Sequence, residues 1–300
     1  MNKRFLGFDY LPSIFVGTVA ALVIVQPAIA KTAKEVAQIA IPTTVQINNT
    51  SAPDVSGSGV IISKKGNTYT VLTANHVVKN PNSEFVIRTS KGKDHPVTSV
   101  KALQKEESGP DLAIITFETT EEYSVAPISN SDEATIGSGI YISGYPLPAM
   151  GSTEREYAFT SGQVINIRSS NPEGYTMRYD AVTRRGMSGG PVFDVSGRVI
   201  GIHGQGDTVA TVTNEAGSRQ EEVKTGLNSA IPMNTFIELM PEVNVEKSSV
   251  KIDNKPPENV DAEKVDDTQV NNWFDNFAQD LIKDVIRNEV QRGLRRILPF

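Results

Sequence analysis

The stretch Gly186-Met187-Ser188-Gly189-Gly190-Pro191 decides how this 300-residue sequence is interpreted. Glycines on both sides of a serine permit a sharp turn, because glycine adopts backbone conformations that strain other residues. Such a turn points the Ser188 hydroxyl outward and brings backbone N–H groups together beside it. The segment predicts a nucleophilic serine, with the N–H groups of Gly186 and Ser188 available to bind a negatively charged oxygen. Taken alone, a Gly- and Ser-rich turn between two strands is the alternative.

A serine nucleophile needs a base, and the base needs an orienting partner. His76 follows the apolar run Val71-Leu72-Thr73-Ala74 and is the candidate base. Asp111 leads directly into Leu112-Ala113-Ile114-Ile115, where a buried carboxylate requires a compensating N–H such as that of an imidazole. The alternatives are a capped core histidine at position 76 and a strand-start turn at position 111. His95 lies among charges before a proline, and this setting predicts a surface residue.

The composition excludes several classes of protein. Hydrophobic residues make up 38% and charged residues 21% of the chain, which is typical of a globular protein. Cysteine is absent, which excludes disulfides, thiolate catalysis, zinc–cysteine sites and iron–sulfur clusters. Three histidines and a net charge of −6 argue against a histidine-rich metal site and a nucleic-acid-binding surface. We therefore expect no metal, no cofactor and no nucleic-acid partner.

The middle of the chain, about residues 38–242, consists of short apolar runs bounded by Gly, Asn, Pro or Lys. This pattern is typical of β-strands, and the absence of long helices between them predicts an all-β sandwich or barrel. The runs are 58–62, 70–73, 112–117, 139–143, 162–167, 175–179 and 198–202.

The first thirty residues have the pattern of an export signal. Lys3 and Arg4 precede an apolar core at 14–25, and Ala28-Ile29-Ala30 gives a small-x-small cleavage pattern. An apolar core of this length is too short to span a hydrocarbon layer of about 30 Å as a helix. We predict a signal peptide at 1–30 and an exported protein, periplasmic or extracellular. An uncleaved membrane anchor is the alternative.

Composition changes again toward the C-terminus. Residues 243–268 are rich in Lys, Asp, Glu and Pro, which predicts a disordered linker. Acidic residues at the start and arginines at the end of 269–300 favour a helix. Trp273, Phe274 and Phe277 share one face of that helix. We expect it to pack on a barrel or on another copy of the chain, the alternative being contact with a partner or a membrane surface.

Three segments together resemble the active-site motifs of trypsin-like (chymotrypsin-fold) serine peptidases of the bacterial exported type. They are Thr73-Ala74-x-His76-Val77, Asp111-Leu112-Ala113 and Gly186-x-Ser188-Gly189-Gly190-Pro191, and they stand in the chymotrypsin-type order. The resemblance covers about residues 38–242.

The resemblance implies a fold and a mechanism. The fold is two six-stranded antiparallel β-barrels, at about 38–130 and 131–242, within a peptidase domain at 31–242. In the cleft between them, Ser188 would attack a peptide carbonyl while His76 transfers the proton and Asp111 holds the imidazole. Gly186 and Ser188 would supply the oxyanion hole.

This sequence departs from digestive trypsins at two positions. Met187 stands where those enzymes place an aspartate that pairs with a newly freed N-terminal amine. That activation switch is therefore absent, and other packing must organise the oxyanion hole. Val182 stands where trypsins place an acid, so the sequence gives no support for cleavage after Lys or Arg.

The pocket motifs are similar to those of glutamyl endopeptidases. The hydroxyl of Thr183 and the imidazole of His203 are the groups that would hydrogen-bond a substrate carboxylate. Arg184-Arg185 departs from that pattern, and a satisfied strand histidine at position 203 is the alternative.

The leading functional hypothesis is an exported serine endopeptidase that acts on proteins or peptides, with a preference for Glu before the scissile bond. Its rival is a catalytically silent binding or adaptor protein on a protease fold, since a fold does not by itself guarantee chemistry.

Overall fold

The computed structural model describes residues 28–105, 108–148, 152–213, 220–258 and 260–265. The predicted signal peptide lies outside these ranges except for its last three residues. The predicted C-terminal helix, with Trp273, Phe274 and Phe277, also lies outside the described residues. Within the described part of the chain, no helix is both long and apolar enough to cross a membrane.

The N-terminal unit is one antiparallel sheet of seven strands preceded by a helix. Helix α1 (Ala33–Thr43) begins at a capping box, in which the side chains of Thr32 and Glu35 each accept the other's backbone N–H. The sheet has the strand order β5-β4-β1-β2-β3-β7-β6. Its elements are β1 (Thr44–Asn49), β2 (Gly57–Lys65), β3 (Thr68–Ala74), the short helix α2 (Asn75–Val78), β4 (Phe85–Arg88), β5 (Asp94–Pro96), β6 (Ser99–Ala102) and β7 (Leu112–Glu118).

This sheet curls toward closure at the connection between β5 and β6. The Val97 N–H donates to the Phe85 carbonyl of β4 at 3.0 Å, and the Thr98 N–H donates to the Thr116 carbonyl of β7 at 2.8 Å. Because consecutive residues bond to strands near opposite edges, the sheet forms a half-barrel. The resemblance implies six strands in this unit. The structure has seven, since the crossing at Val97 and Thr98 separates β5 from β6.

The C-terminal unit is a closed barrel of six antiparallel strands, in the order β10-β13-β12-β11-β8-β9, with β9 paired to β10. The predicted all-β, chymotrypsin-like fold class is therefore confirmed. The elements are β8 (Gly139–Gly144), β9 (Ala158–Ile167), β10 (Met177–Tyr179), β11 (Pro191–Asp194), β12 (Val199–Thr213), β13 (Gln220–Pro232) and helix α3 (Met233–Leu239).

Of three apolar clusters among the described residues, two form the cores of the separate units and the third joins the units. Ile61 belongs to the core of the N-terminal sheet, and Val192 belongs to the core of the barrel. The third cluster combines Leu72 of β3, Tyr141 of β8 and Phe236 of α3. Since its side chains come from both units, burial of this cluster fixes the junction at which the candidate site lies.

Residues 244–258 and 260–265, here named the C-terminal strap, lie along the surface of both units. The Asp253 N–H donates to the Ile128 carbonyl at 2.9 Å, and the Glu263 N–H donates to the Tyr141 hydroxyl at 2.8 Å. Val250 is buried. Composition predicts a disordered linker at 243–268, whereas the described part of this segment is packed. Backbone hydrogen bonds and single apolar side chains, which a composition count overlooks, account for the difference.

Candidate active site

The pairing of β3 with β7 brings His76 beside Asp111. Ala74, the last residue of β3, is in register with Leu112, the first residue of β7. The His76 N–H donates to Asp111 Oδ1 at 2.8 Å, and His76 Nδ1 lies 2.6 Å from Oδ2. An ionised carboxylate only accepts hydrogen bonds, so Nδ1 carries the proton and Nε2 remains an acceptor.

The Asp111 carboxylate is buried yet stays ionised. Burial acts to raise its pKa, but hydrogen bonds from His76 and Tyr175 together outweigh burial, and the pKa of Asp111 is lowered. The Tyr175 hydroxyl donates to Oδ2 at 2.7 Å. Burial, reinforced by the charge of Asp111, raises the pKa of Tyr175 well above its usual value. Tyr175 is therefore a permanent donor to this carboxylate.

Ser188 lies on a loop that packs against the ends of β2 and β3. Its carbonyl accepts the Ser58 N–H at 2.8 Å. Gly189 has a φ of +85°, and a Cβ on this residue would lie 2.1 Å from Thr73 Oγ1. Only glycine permits this approach. The loop thereby contacts the strand that leads into the helix bearing His76.

The Ser188 hydroxyl bonds a residue that packs closely against Tyr175. Oγ donates to the Gly204 carbonyl at 3.4 Å. A Cβ on Gly204 would lie 2.0 Å from the Tyr175 hydroxyl oxygen, which in turn bonds Asp111. The Gly204 backbone therefore lies close to both Ser188 and the tyrosine that bonds Asp111. Among the described residues, the bonding partner of Ser188 Oγ is Gly204, and Oγ forms no hydrogen bond with the His76 ring.

The loop before Ser188 is arranged so that two backbone N–H groups are free. The Leu147 N–H donates to the Arg185 carbonyl at 2.8 Å. Because the C=O and N–H of one trans peptide point in opposite directions, the Gly186 N–H is directed away from Leu147. Within the described part of the chain, neither Gly186 N–H nor Ser188 N–H has an acceptor. These are the two groups that the sequence predicts as the oxyanion hole.

A cavity of about 620 Å³ opens beside Ser188. Its described lining contains no carboxylate: Val182, Thr183, Arg184, Arg185, His203, Gly204, Gly206, Gly226, Leu227 and Asn228 surround it. The Thr183 hydroxyl donates to Asn228 Oδ1 at 2.7 Å, and Asn228 Nδ2 donates to the Ala181 carbonyl at 2.8 Å. Thr183 and His203, the two predicted pocket residues, therefore lie at the same cavity.

The imidazole of His203 forms a buried, neutral part of the cavity wall. Its side chain is fully packed, and Nδ1 lies 2.6 Å from the Tyr179 hydroxyl. Burial above all, with the nearby His76 as a smaller cause, lowers the pKa of His203 to about 4. At neutral pH this residue carries no charge.

His95 corrects one sequence expectation. It is buried rather than exposed, stacks on Phe117 and has its Nε2 2.8 Å from the Tyr123 hydroxyl. The aromatic side chains of the N-terminal core explain this burial, and the charged residues beside it in sequence conceal it. No group of three or more His, Cys, Asp or Glu residues in the described ranges could hold a metal ion.

Sequence comparison assigns a family to this arrangement. The model of the trypsin-like peptidase domain matches residues 57–202, a range that contains His76, Asp111 and Ser188. Residues 57–202 of the chain therefore form a trypsin-like peptidase domain.

Curated relatives with similar sequences are named as proteases. A serine protease Do-like HtrA of Lactococcus lactis subsp. lactis (strain IL1403) is 30% identical over 196 residues, covering 61% of this chain and 43% of that protein. A probable periplasmic serine endoprotease DegP-like of Hahella chejuensis is 30% identical over 188 residues, covering 62% of this chain and 34% of that protein. A serine protease Do-like HtrA of Bacillus subtilis is 26% identical and covers 79% of this chain. The chain spans half or less of the length of these relatives.

Three further residues at the site have sequence signals too weak to predict a role there. Tyr175 bonds Asp111, Asn228 bonds Thr183, and Arg155 bonds the Gly186 carbonyl at 3.0 Å. Tyr175 and Asn228 stand in strand-like runs, where a core or ladder role is the ordinary interpretation. Their only sequence signal is a polar group within an apolar run. Arg155 stands among charged residues and carries no signal of burial.

Proposed function

We propose that this chain is an exported serine endopeptidase that hydrolyses peptide bonds through a Ser188 acyl-enzyme. The observation that carries the proposal is the two-point contact of His76 with Asp111, at 2.8 and 2.6 Å, beside the glycine-rich serine loop. This contact fixes both the tautomer and the orientation of the imidazole, which is the task of the acid in such a triad. The family match and the names of the relatives give independent support.

The reaction begins with rotation of the Ser188 side chain. Oγ leaves the Gly204 carbonyl and turns toward His76 Nε2, a bond that is often long or absent before substrate binds. Oγ then attacks the peptide carbonyl carbon while Nε2 takes its proton. Asp111 stabilises the imidazolium that results.

The developing negative oxygen is received by the N–H groups of Gly186 and Ser188. Removing one donor of this kind lowers kcat by about 10²- to 10³-fold in a well-studied protease. His76 delivers its proton to the leaving amine, and the C–N bond breaks to give the acyl-enzyme. A water molecule, deprotonated by His76, then releases the acid product and restores the hydroxyl.

The compartment follows from the N-terminal pattern and from the relatives. The charged start, apolar core and Ala28-Ile29-Ala30 fit a signal peptide. The names of the relatives in Hahella chejuensis and Rhizobium meliloti include the word periplasmic. Both observations support a periplasmic or extracellular enzyme.

The finer proposal is a preference for Glu before the scissile bond. The cavity wall lacks carboxylates and includes the positive side chains of Arg184 and Arg185. A substrate carboxylate is expected to displace Asn228 Oδ1 as the acceptor of the Thr183 hydroxyl. Neutral His203 also lines this cavity.

A fluorophosphonate probe tests the proposed activity against the adaptor alternative. We expect labelling at Ser188 in the full chain, found by peptide mapping, and none in Ser188→Ala. Ser248→Ala, which removes an exposed serine of the C-terminal strap, is the matched control and should label like wild type. Folded wild type that fails to label, or label that persists in Ser188→Ala, contradicts the proposal and favours the adaptor.

The substrate preference is tested separately with a peptide panel. Peptides that differ only in having Glu, Gln, Leu or Lys before the scissile bond are compared by kcat/KM. We expect Glu to be highest. Equal values for Glu, Leu and Lys would remove the acidic preference and leave the endopeptidase proposal intact.

A further inference from the structure

Arg155 makes an unusual set of contacts for a half-buried arginine. Its guanidinium donates to the backbone carbonyls of five residues and to one side-chain amide, and no carboxylate of a described residue is among the acceptors. The carbonyls are those of Ile47, Gly57, Tyr145, Pro146 and Gly186, and the amide oxygen is that of Asn48.

These acceptors come from three separate parts of the fold. Ile47 lies in β1 and Gly57 begins β2, so both belong to the N-terminal unit. Tyr145 follows β8 of the barrel, and Gly186 lies in the serine loop. One planar group with fixed donor directions therefore ties the serine loop to both units.

Of these contacts, the one with the Gly186 carbonyl bears on catalysis, because the Gly186 N–H is a proposed donor to the oxyanion. Arg155 Nη2 donates to the Gly186 carbonyl at 3.0 Å, and the Ser58 hydroxyl donates to the same oxygen at 2.9 Å. The preceding peptide is held by the Leu147 N–H on the Arg185 carbonyl. The Gly186 N–H belongs to that preceding peptide. Arg155 reaches it through the Pro146 carbonyl, to which Nε donates at 3.4 Å, because this carbonyl and the Leu147 N–H belong to one peptide. Arg155 therefore contacts the peptide that follows Gly186 directly and supports the peptide that precedes it.

Gly186 would otherwise be free to turn. Its φ is +96°, and glycine can adopt this value as readily as many other backbone conformations. The aspartate that organises this loop in digestive trypsins is absent, since Met187 stands at that position. Some other group must therefore fix the backbone conformation of Gly186. The side chains of Arg155 and Ser58 contact its carbonyl.

The energetics agree with a positioning task rather than an ion pair. Burial lowers the pKa of Arg155 to about 10, so the group still carries its charge at neutral pH. Charge-assisted hydrogen bonds to carbonyls are about twice as strong as neutral ones. The backbone carbonyl dipoles stabilise the Arg155 cation, and the cation in turn fixes the orientation of those carbonyl groups.

We propose that Arg155 is the positioning residue that keeps the Gly186 N–H in its oxyanion-binding orientation, by holding the Gly186 carbonyl and the peptide that joins Pro146 to Leu147, in place of the aspartate–amine pair of digestive trypsins. This inference rests on the proposed function, because an oxyanion hole matters only to an acyl-transfer enzyme.

The test compares Arg155→Met, Arg155→Gln, Arg155→Lys and Arg155→Ala with wild type in the full chain. Steady-state hydrolysis of one peptide substrate gives kcat and KM, and thermal melting gives stability. We expect Arg155→Met and Arg155→Gln to lower kcat about 10- to 100-fold with KM changed less than threefold, since the oxyanion forms only in the transition state. Arg155→Lys should recover part of kcat, and millimolar guanidinium should raise kcat in Arg155→Ala.

Arg198→Met is the matched control for loss of a buried arginine. Arg198 bonds Asp194 and the Lys255 carbonyl and makes no recorded contact with the serine loop. The Arg198→Met variant should have a lower melting temperature and an unchanged kcat, when activity is measured below the melting temperature of every variant. If Arg155→Met does not fold, the loss of kcat is measured in Arg155→Gln and the partial recovery in Arg155→Lys.

The outcomes separate two kinds of failure. Wild-type kcat in a folded Arg155→Gln overturns the positioning role, as does a kcat loss in Arg198→Met equal to that in Arg155→Met. A wild-type chain that neither hydrolyses peptides nor reacts with fluorophosphonate overturns the proposed function, and the positioning role fails with it.

Discussion

Tyr175 and His76 bind the same oxygen of Asp111, at 2.7 and 2.6 Å, from opposite units of the fold. His76 follows β3 of the N-terminal sheet, whereas Tyr175 precedes β10 of the barrel. The Asp111 N–H also donates to the Glu173 carbonyl at 2.9 Å, which ties the same loop to the acid. Asp111 is therefore held by both units, so its position depends on how they pack.

Removing this tyrosine hydroxyl should weaken both the site and the fold. We expect Tyr175→Phe to lower the free energy of unfolding by about 1–3 kcal/mol, because a buried carboxylate loses a donor. We expect kcat/KM to fall about tenfold, or roughly 1.4 kcal/mol of barrier. Denaturant unfolding and steady-state kinetics measure the two effects.

The same variant should unfold at a higher pH on acidification. The pKa of Asp111 is lowered in the folded state, so its stabilising contribution is present above the unfolded value and is lost as pH falls through the folded one. Loss of the Tyr175 bond raises the folded pKa. An acid-unfolding midpoint equal to that of wild type would show that the hydroxyl contributes nothing.

His203 predicts a distinct acid sensitivity. Its folded pKa is about 4, so between pH 6.5 and about 4 the unfolded chain binds a proton that the folded chain excludes. Stability is lost as pH falls through this window, by roughly 3 kcal/mol in total. His203→Gln should show a smaller loss than wild type between pH 7 and 4 in thermal or denaturant unfolding. Parallel stability curves for the two proteins would contradict the shift.

Gly204→Ala tests the close approach between Gly204, whose carbonyl accepts the Ser188 hydroxyl, and Tyr175. A Cβ there would lie 2.0 Å from the tyrosine hydroxyl oxygen, so the ring must move away from Asp111. We expect a loss of more than tenfold in kcat/KM together with a lower melting temperature. Gly206→Ala, where the nearest contact would be 3.3 Å, should give the smaller loss on both measures. The reverse ranking would refute this packing argument.

Thr183→Val tests the proposed specificity pocket. The change keeps the shape of the side chain and removes the hydroxyl that donates to Asn228 Oδ1. We expect kcat/KM for a Glu peptide to fall about tenfold while that for a Leu peptide changes little, since the Glu carboxylate loses a donor. An equal loss for both peptides would indicate a structural role alone.

The candidate residues of the site could be selected from the sequence because each motif is local. The glycines around Ser188 set the turn, and the runs before His76 and after Asp111 set the strands whose pairing joins them. Strand runs and turn residues likewise predicted the all-β class, since alternation and glycine act over a few residues.

Other features required the folded chain. Tyr175 reaches Asp111 across 64 positions, and Arg155 reaches Ile47 across 108, so neither contact has a local pattern. The burial of His95 and the packing of the C-terminal strap depend on which surfaces meet. Sequence by itself determined which groups can react. Tertiary structure decided which of them are held and desolvated, because hydrogen bonds and burial act between residues that only folding brings together.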